Sequence, residues 1–355
     1  MRVNNILIVG NYGAGNLGDD SILGGILEDL KAIGFAGKIS VTFGGVHSST
    51  DIYKGLNKVP FVPAGLRSRF GRGGATRRDE AMRAIRDADL IILGGGGLFT
   101  DEESFFAPLI WYKQASAFVR AHKPYICYGQ SVGALKSWWN RYLTKLVFSR
   151  ALAVHVRDHE SAKLLEKLGI EGKKVTVGID PAISYFKEIS KEISEENARA
   201  CPALAVAEAG KGVGEKAAKK SDILLLSLRL WPKFSEKEWN LHVQTAKNIA
   251  EEQNLKPVLL GMDTKNEKEI SLLRDVARKN DFEVFEPVSA RSAYEGIAKA
   301  KMLIGMRLHS IIMATCAGTS YVAIPYSPKV EGFLKNHNTA TLQNQAFLRR
   351  VFETL

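Results

Sequence analysis

The chain has 355 residues, 45% hydrophobic and 25% charged, with three cysteines and a formal charge of +11. At roughly 150 residues per domain that length suggests two domains, and the composition is that of an ordinary globular protein. No run approaches the roughly 18 consecutive apolar residues of a membrane span, and Cys127, Cys201 and Cys316 are too few and too scattered for a disulfide framework or a zinc site, which points to a reducing, cytoplasmic compartment.

The predicted elements alternate strand, glycine turn and helix. Asn5–Val9 reads as a strand ending in Gly10, with no small-residue cleavage site that would make it a signal peptide. The loop 10–19 follows, with a literal GxGxxG at Gly13, Gly15 and Gly18, and leads into a helix from Asp20 to Ala32. The loop is longer than a compact dinucleotide turn. The next strand, Lys38–Phe43, ends in Gly44–Gly45 without the acid that would hold a ribose. The loop is either a plain strand-to-helix turn or a set of backbone N–H groups facing an anion. Asp19 and Asp20 suit a first helical turn whatever the ligand, so Asp19 reads as a helix-terminus acid before it reads as a base.

Between Arg67 and Arg86 lie seven arginines, offset only by Asp79 and Glu80. They form either a solvated loop entering a helix at Arg77, capped by Thr76, or an anion-binding edge. Aromatic residues are not interleaved among them as a nucleic-acid platform requires, so no nucleic-acid partner is expected.

Leu90–Leu93 is a buried strand followed by Gly94–Gly97 and then Leu98-Phe99-Thr100-Asp101. Four glycines strip the sheet edge of side chains, which calls for close approach of a ligand or of another backbone; a ligand is the favoured cause, with Gly95 and Gly96 at its centre. A helix over 105–122, a strand over 125–128 and the turn Gly129-Gln130-Ser131-Val132-Gly133 come next, with Gln130 placed to hydrogen-bond a sugar hydroxyl. After a helix over 138–149, Ala153–Val156 is a strand that puts Arg157 at its C-terminal end, followed by a helix over 160–168 and a strand over 175–177.

Residues 187–220 are rich in Lys, Glu and Ala and lack a strand signal, so they read as a partly helical connector or insertion. The α/β rhythm then restarts with strands at 223–227, 257–260, 283–285, 302–304 and 322–324. Gly305-Met306-Arg307-Leu308-His309 links a buried strand to an apolar helix, which places Arg307 and His309 at a helix N-terminus, where both can serve one anion. Pro325-Tyr326-Ser327-Pro328-Lys329 opens a further helix, and Lys329 is either an exposed lysine or a third cation of the site.

Short uninterrupted apolar runs alternating with helices predict parallel sheets covered on both faces. The expected fold class is therefore α/β, with two Rossmann-like domains facing a cleft. The first covers 1–186, a connector 187–221, the second 222–335, and a helical tail 336–355. No HExxH, DxD or Cys/His cluster occurs, so no metal is expected, and no GxSxG or P-loop lysine supports a serine hydrolase or P-loop kinase.

Taken in order, Asn16-Leu17-Gly18-Asp19, Gly94–Asp101, Gly129–Gly133, Val156–Ser161, Met306–His309 and Tyr326–Phe333 resemble the motif set of the polysaccharide pyruvyl transferases, spread over both domains. The resemblance implies a GT-B-like pair of domains. It also implies phosphoenolpyruvate as donor and co-substrate, with no other cofactor, and a sugar diol on a glycan or lipid-linked precursor as acceptor. The product would be a cyclic pyruvate ketal. Under it, Arg157, Arg307 and Lys329 grip the phosphate and carboxylate of the donor, as bidentate guanidiniums suit. His309 is the general acid. Asn16, Gly18, Asp19, Gly95, Gly96 and Gln130 line the acceptor side. Peripheral contact with a membrane through Arg67–Arg86 is a further expectation. The competing expectation is a GT-B glycosyltransferase using a nucleotide sugar, against which stands the absence of a ribose-reading Glu in 310–318.

Overall fold

The computed structural model describes residues 3–45, 51–62, 74–102, 104–200, 220–231, 235–336 and 342–355. Arg67, Arg69 and Arg72 of the basic stretch lie outside these residues, as does 201–219 of the connector. The chain divides into two compact units, 1–182 with 326–355, and 183–325.

In chain order the first unit holds β1 (Asn5–Val9), α1 (Leu17–Ala32), β2 (Lys38–Thr42), β3 (Asn57–Val59), α2 (Gly74–Asp87), β4 (Leu90–Leu93) and β5 (Gly96–Phe99). It continues with α3 (Ala107–Arg120), β6 (Tyr125–Val132), α4 (Trp138–Arg150), β7 (Val154–Val156), α5 (His159–Lys167) and β8 (Val175–Val177). The second unit contains α6 (Ala182–Ala200, from Ile183 on), β9 (Ser221–Ser227), α7 (Glu236–Glu252), β10 (Lys256–Leu260), α8 (Glu267–Asn280) and β11 (Glu283–Phe285). It closes with α9 (Ala290–Lys299), β12 (Ala300–Gly305), α10 (Leu308–Cys316) and β13 (Ser320–Ala323). The chain then returns to the first unit with α11 (Pro328–Asn336) and α12 (Leu342–Thr354).

All strand pairs in both sheets are parallel. The first sheet runs β3-β2-β1-β4-β6-β7-β8, with β5 also on β6. Every residue of β4 and of β6 is buried, which is why these runs carry no polar alternation: helices cover both faces. The second sheet runs β11-β10-β9-β12-β13. In each sheet the strand order reverses beside the first strand, between β1 and β4 and between β9 and β12. Open sheets of this kind leave a crevice at the carboxyl ends of such strands. The loop after β1 and the glycine run after β4 share one such edge; Gly305–Arg307 after β12 lies at the other.

Several expectations shift. The helix α2 begins at Gly74, so Thr76 is inside it and not its cap. Residues 187–200 of the expected, partly helical connector are helix but belong to the second unit as part of α6. There Phe186 stacks on Tyr294 with centroids 5.3 Å apart, and Arg291 pairs with Glu192 at 2.5 Å. The helix at 328–336, expected to close the second domain, belongs to the first unit. Edge strand β3 (Asn-Lys-Val) has no apolar run to announce it.

The tail helix α12 is tied to the first sheet by a buried polar network. Asn344, fully buried, accepts from His155 Nε2 at 2.9 Å and from the Ile179 N–H at 3.2 Å. His155 Nδ1 accepts from the Gly129 N–H at 3.1 Å, so the ring is the neutral tautomer with its proton on Nε2. Burial pushes the His155 pKa down to about 4, which keeps that tautomer neutral at ordinary pH. Tyr128 donates to Asp29 at 2.8 Å in the same network.

Candidate functional site

At the reversal point of the first sheet, α1 starts with Asn16, whose side chain accepts from the Gly18 N–H at 3.0 Å and so satisfies one of the free donors of the first turn. Asp19, half-buried on that turn, accepts from Asn11 Nδ2 at 2.8 Å and from Asn16 Nδ2 at 3.2 Å. Desolvation pushes the Asp19 carboxyl up to about 6. The Asp20 charge adds to the rise, while the hydrogen bond from Asn11 and the positive charges of Lys329 and Arg157 oppose it. Asp20 itself is buried, held by the Gly13 N–H at 3.1 Å and by the Tyr53 hydroxyl. The two adjacent acids therefore do different work: Asp20 anchors the loop, and Asp19 is poised near neutrality.

The glycine run divides in the same way. A Cβ on Gly94 would collide with the Tyr12 hydroxyl, and one on Gly95 with the carbonyl of Gly129. Those two glycines are explained by protein atoms, which corrects the expectation of a ligand there. Gly96 has φ of +106°, and a Cβ on it would stand 3.5 Å from Asp19 Oδ1. Gly97 faces open space. The edge is thus bare at Gly96 and Gly97, next to Asp19.

Gln130 is fully buried, and its amide donates to the carbonyls of Leu93, at 3.0 Å, and Gly94. It braces the start of the glycine run and does not reach out to a sugar hydroxyl, contrary to the sequence expectation. Arg157, just past β7, is ion-paired with Asp180, the two side chains only 5% and 2% exposed. Asp158 caps α5, accepting from the Ser161 N–H at 2.7 Å and from Ser131 Oγ at 2.8 Å. Lys329, in the first turn of α11, lines a small cavity of about 40 Å³ with Gly97, Ser131, Asp158 and Ser327. The first unit therefore gathers Asn16, Gly18, Asp19, Gly95, Gly96, Arg157 and Lys329 around one sheet edge. Asp180 was not foreseen, although Gly178-Ile179-Asp180 follows β8 as Arg157 follows β7.

In the second unit Arg307 stands at the N-cap position of α10, its Cα framework set by the Met306 N–H donating to the Ser227 carbonyl at 2.8 Å. Its guanidinium is buried, pairs with Glu269 and lies 3.7 Å from Asp263. Glu269 also accepts from the Leu230 N–H at 3.2 Å. A guanidinium flanked by two carboxylates offers little positive charge to a third anion, so the expected grip of Arg307 on a substrate is not what its surroundings favour. His309, two residues on, is half-buried in the first turn of the same helix.

A family model described as polysaccharide pyruvyl transferase matches residues 16–328. The chain belongs to the polysaccharide pyruvyl transferase family. The match opens on Asn16, takes in the glycine run, Arg157, Arg307 and His309, and stops one residue before Lys329. The amylovoran biosynthesis protein AmsJ of Erwinia amylovora is 24% identical over 365 aligned positions, covering 93% of this chain and 85% of AmsJ. Among solved structures, a putative UDP-N-acetylglucosamine 2-epimerase from Listeria monocytogenes superposes with TM-score 0.59 at 11% identity, covering 97% of this chain and 90% of its own. The UDP-GlcNAc 2-epimerase from Neisseria meningitidis gives 0.57 at 12%, covering 98% and 91%. HepE from Anabaena, in complex with UDP-glucose, gives 0.54 at 13%, covering 92% and 82%. At such identities the likeness is one of fold: two Rossmann-like domains of the GT-B kind. Within the family, this transferase has no helix among its described residues long and apolar enough to cross a membrane.

Proposed function

We propose that this family member transfers the pyruvyl group of phosphoenolpyruvate to two hydroxyls of a sugar in a glycan precursor, forming a cyclic ketal and releasing phosphate. The observation that carries the reading is Asp19: a carboxylate raised to about 6, beside a side-chain-free glycine edge and within the field of Lys329 and Arg157. A base of that pKa is matched to removing a hydroxyl proton near neutral pH. The nearby cations suit a donor with a phosphate and a carboxylate.

Protonation of the methylene carbon turns the enol phosphate into an oxocarbenium-like centre. His309 is assigned the role of proton donor on the family motif alone. A sugar hydroxyl adds to that centre as its proton passes to Asp19. The second hydroxyl then displaces phosphate, which leaves carrying the proton held on Asp19, and the ring closes as that oxygen gives its proton to the acid that had protonated the methylene carbon. Lys329 holds the donor's anionic groups. Arg307 acts on this chemistry by fixing the start of α10 and hence His309, so it is a positioning residue. Arg157 orders the edge through Asp180.

Asp19→Asn tests the reading. Turnover of phosphoenolpyruvate with a glycan acceptor should fall by about 10²–10⁴-fold, with folding intact. Turnover within a few-fold of wild type would remove Asp19 as the base. Turnover with a UDP-sugar and none with phosphoenolpyruvate would favour the nucleotide-sugar alternative, which the UDP-glucose complex of HepE keeps in view.

A further inference from the structure

Large apolar side chains left in water are not scattered over the first unit. Eleven exposed large hydrophobic residues occur among the described residues, and six of them, Phe105, Phe106, Ile110, Trp138, Trp139 and Tyr142, belong to the N-terminal ends of α3 and α4. All five exposed aromatics are in that group. Trp138 is 74% exposed and Phe106 61%.

The group is one surface. The two helices pack on each other, and Asn140 of α4 donates to the Phe105 carbonyl at 3.1 Å. Phe105 and Phe106 stand edge to face at 5.5 Å, as do Trp138 and Trp139 at 5.5 Å, with Tyr142 6.0 Å from Trp139. The display is fixed from beneath. Asp101 accepts from the backbone N–H groups of Lys136 at 2.8 Å and Ser137 at 3.0 Å, which clamps the entry to α4. Backbone donors and nearby Asn140 and Lys136 hold the Asp101 carboxyl below the usual carboxylate range, against the desolvation that would raise it.

Cations ring the aromatics: Lys113 on α3, Lys136 before α4, and Arg141 and Lys145 on α4 are all exposed. Phe106 and Ile110 also form the wall of a neighbouring cavity of about 830 Å³, where Lys58 and Arg77 join Lys113 and add two more positive charges. Exposed Trp, Tyr and Phe with a basic rim match the boundary between headgroups and acyl chains. There amphipathic rings settle, and cations meet anionic lipid. A patch of this kind on water-exposed helices is otherwise a solubility liability.

We propose that the α3–α4 aromatic surface docks this protein on an anionic lipid bilayer as a peripheral anchor, with the aromatic rings inserted at the interface and the lysines and arginines on the headgroups. The proposal does not rest on the pyruvyl-transfer reading; the adjoining cavity is also lined by Asn11, which donates to Asp19 at 2.8 Å. It also differs from the membrane contact expected of Arg67–Arg86 alone: the apolar contact area comes from α3 and α4, and Arg77 contributes charge at the adjoining cavity.

The test is sedimentation of the full-length protein with vesicles of phosphatidylcholine, with and without phosphatidylglycerol, followed also by tryptophan fluorescence. Binding that needs phosphatidylglycerol and shifts the emission to the blue is expected. Trp138→Ser with Trp139→Ser should weaken partitioning by at least about tenfold, and Lys136→Glu with Arg141→Glu should weaken it in a salt-dependent way. Unchanged thermal melting would show that the variants are folded, and the charge pair provides a second route should the tryptophan pair fail to fold. Three results would each overturn the proposal: no vesicle binding by wild type, binding indifferent to both variants, or a wild-type dimer without lipid that the tryptophan variant makes monomeric.

Discussion

Both units end a strand in an arginine, and the two arginines keep different company. Arg157, after β7, has one carboxylate partner, Asp180, and its charge still acts on Asp19. Arg307, after β12, lies between Glu269 and Asp263. Seen in the sequence, the two look alike: a buried strand, then Arg, then a helix. What separates them is the number of acids that the fold returns from elsewhere: one, 23 residues away, for Arg157, and two, 38 and 44 residues away, for Arg307. An arginine at a strand end is therefore a candidate for anion binding only once its carboxylate partners are counted. By that count Arg157 is less compensated than Arg307, whose two acids hold the start of a helix in place.

The largest expected effect falls on the proposed acid. His309→Ala should lower turnover by about 10²–10⁴-fold without loss of thermal stability. An effect of only a few-fold would remove His309 as the acid.

Arg307→Ala sharpens the contrast from the other side. It leaves Glu269 buried and uncompensated, and should cost about 3–5 kcal/mol of stability by denaturant unfolding. Replacing Glu269 with Leu in the same chain should recover much of that loss, as expected of a structural pair. If Arg307→Ala left stability intact and abolished donor binding, Arg307 would be a substrate grip after all.

Asp19 predicts a pH dependence. Its pKa is raised, so the carboxylate is protonated below about 6, and turnover should fall as pH drops through that value. Asp19→Asn should remove this acid limb. The same shift means that the ionised form is disfavoured in the folded chain, so Asp19→Asn should not destabilise the protein and should stabilise it at neutral pH.

The tail network sets an opposite trend in stability. His155 has a folded pKa of about 4 against 6.5 for a free imidazole. Below the free value the unfolded chain takes up a proton that the folded chain refuses. Stability should thus fall as pH drops from 6.5 towards 4. Asn344→Ala should cost about 1–3 kcal/mol and loosen α12 by hydrogen exchange.

Much of this architecture was legible in the sequence, because buried parallel strands such as Leu90–Leu93 announce themselves as unbroken apolar runs. The ordered motifs also carried the family. Other features were hidden for a physical reason. Gly94 and Gly95 are required by Tyr12 and Gly129, which are far away in sequence. Gln130 looks like a sugar ligand until the carbonyls of Leu93 and Gly94 are seen to occupy it. Asp19 reads as a helix-terminus acid, and only its desolvation shows the raised carboxyl on which the proposed base role rests. Partners brought together by folding, not residue type, decided each case.

The central claim is that phosphoenolpyruvate is the donor, and calorimetry tests it most directly. Phosphoenolpyruvate should bind the wild-type protein and lose that binding in Lys329→Ala, while UDP-sugars give no heat. Clear UDP-sugar binding with no phosphoenolpyruvate signal would contradict the account.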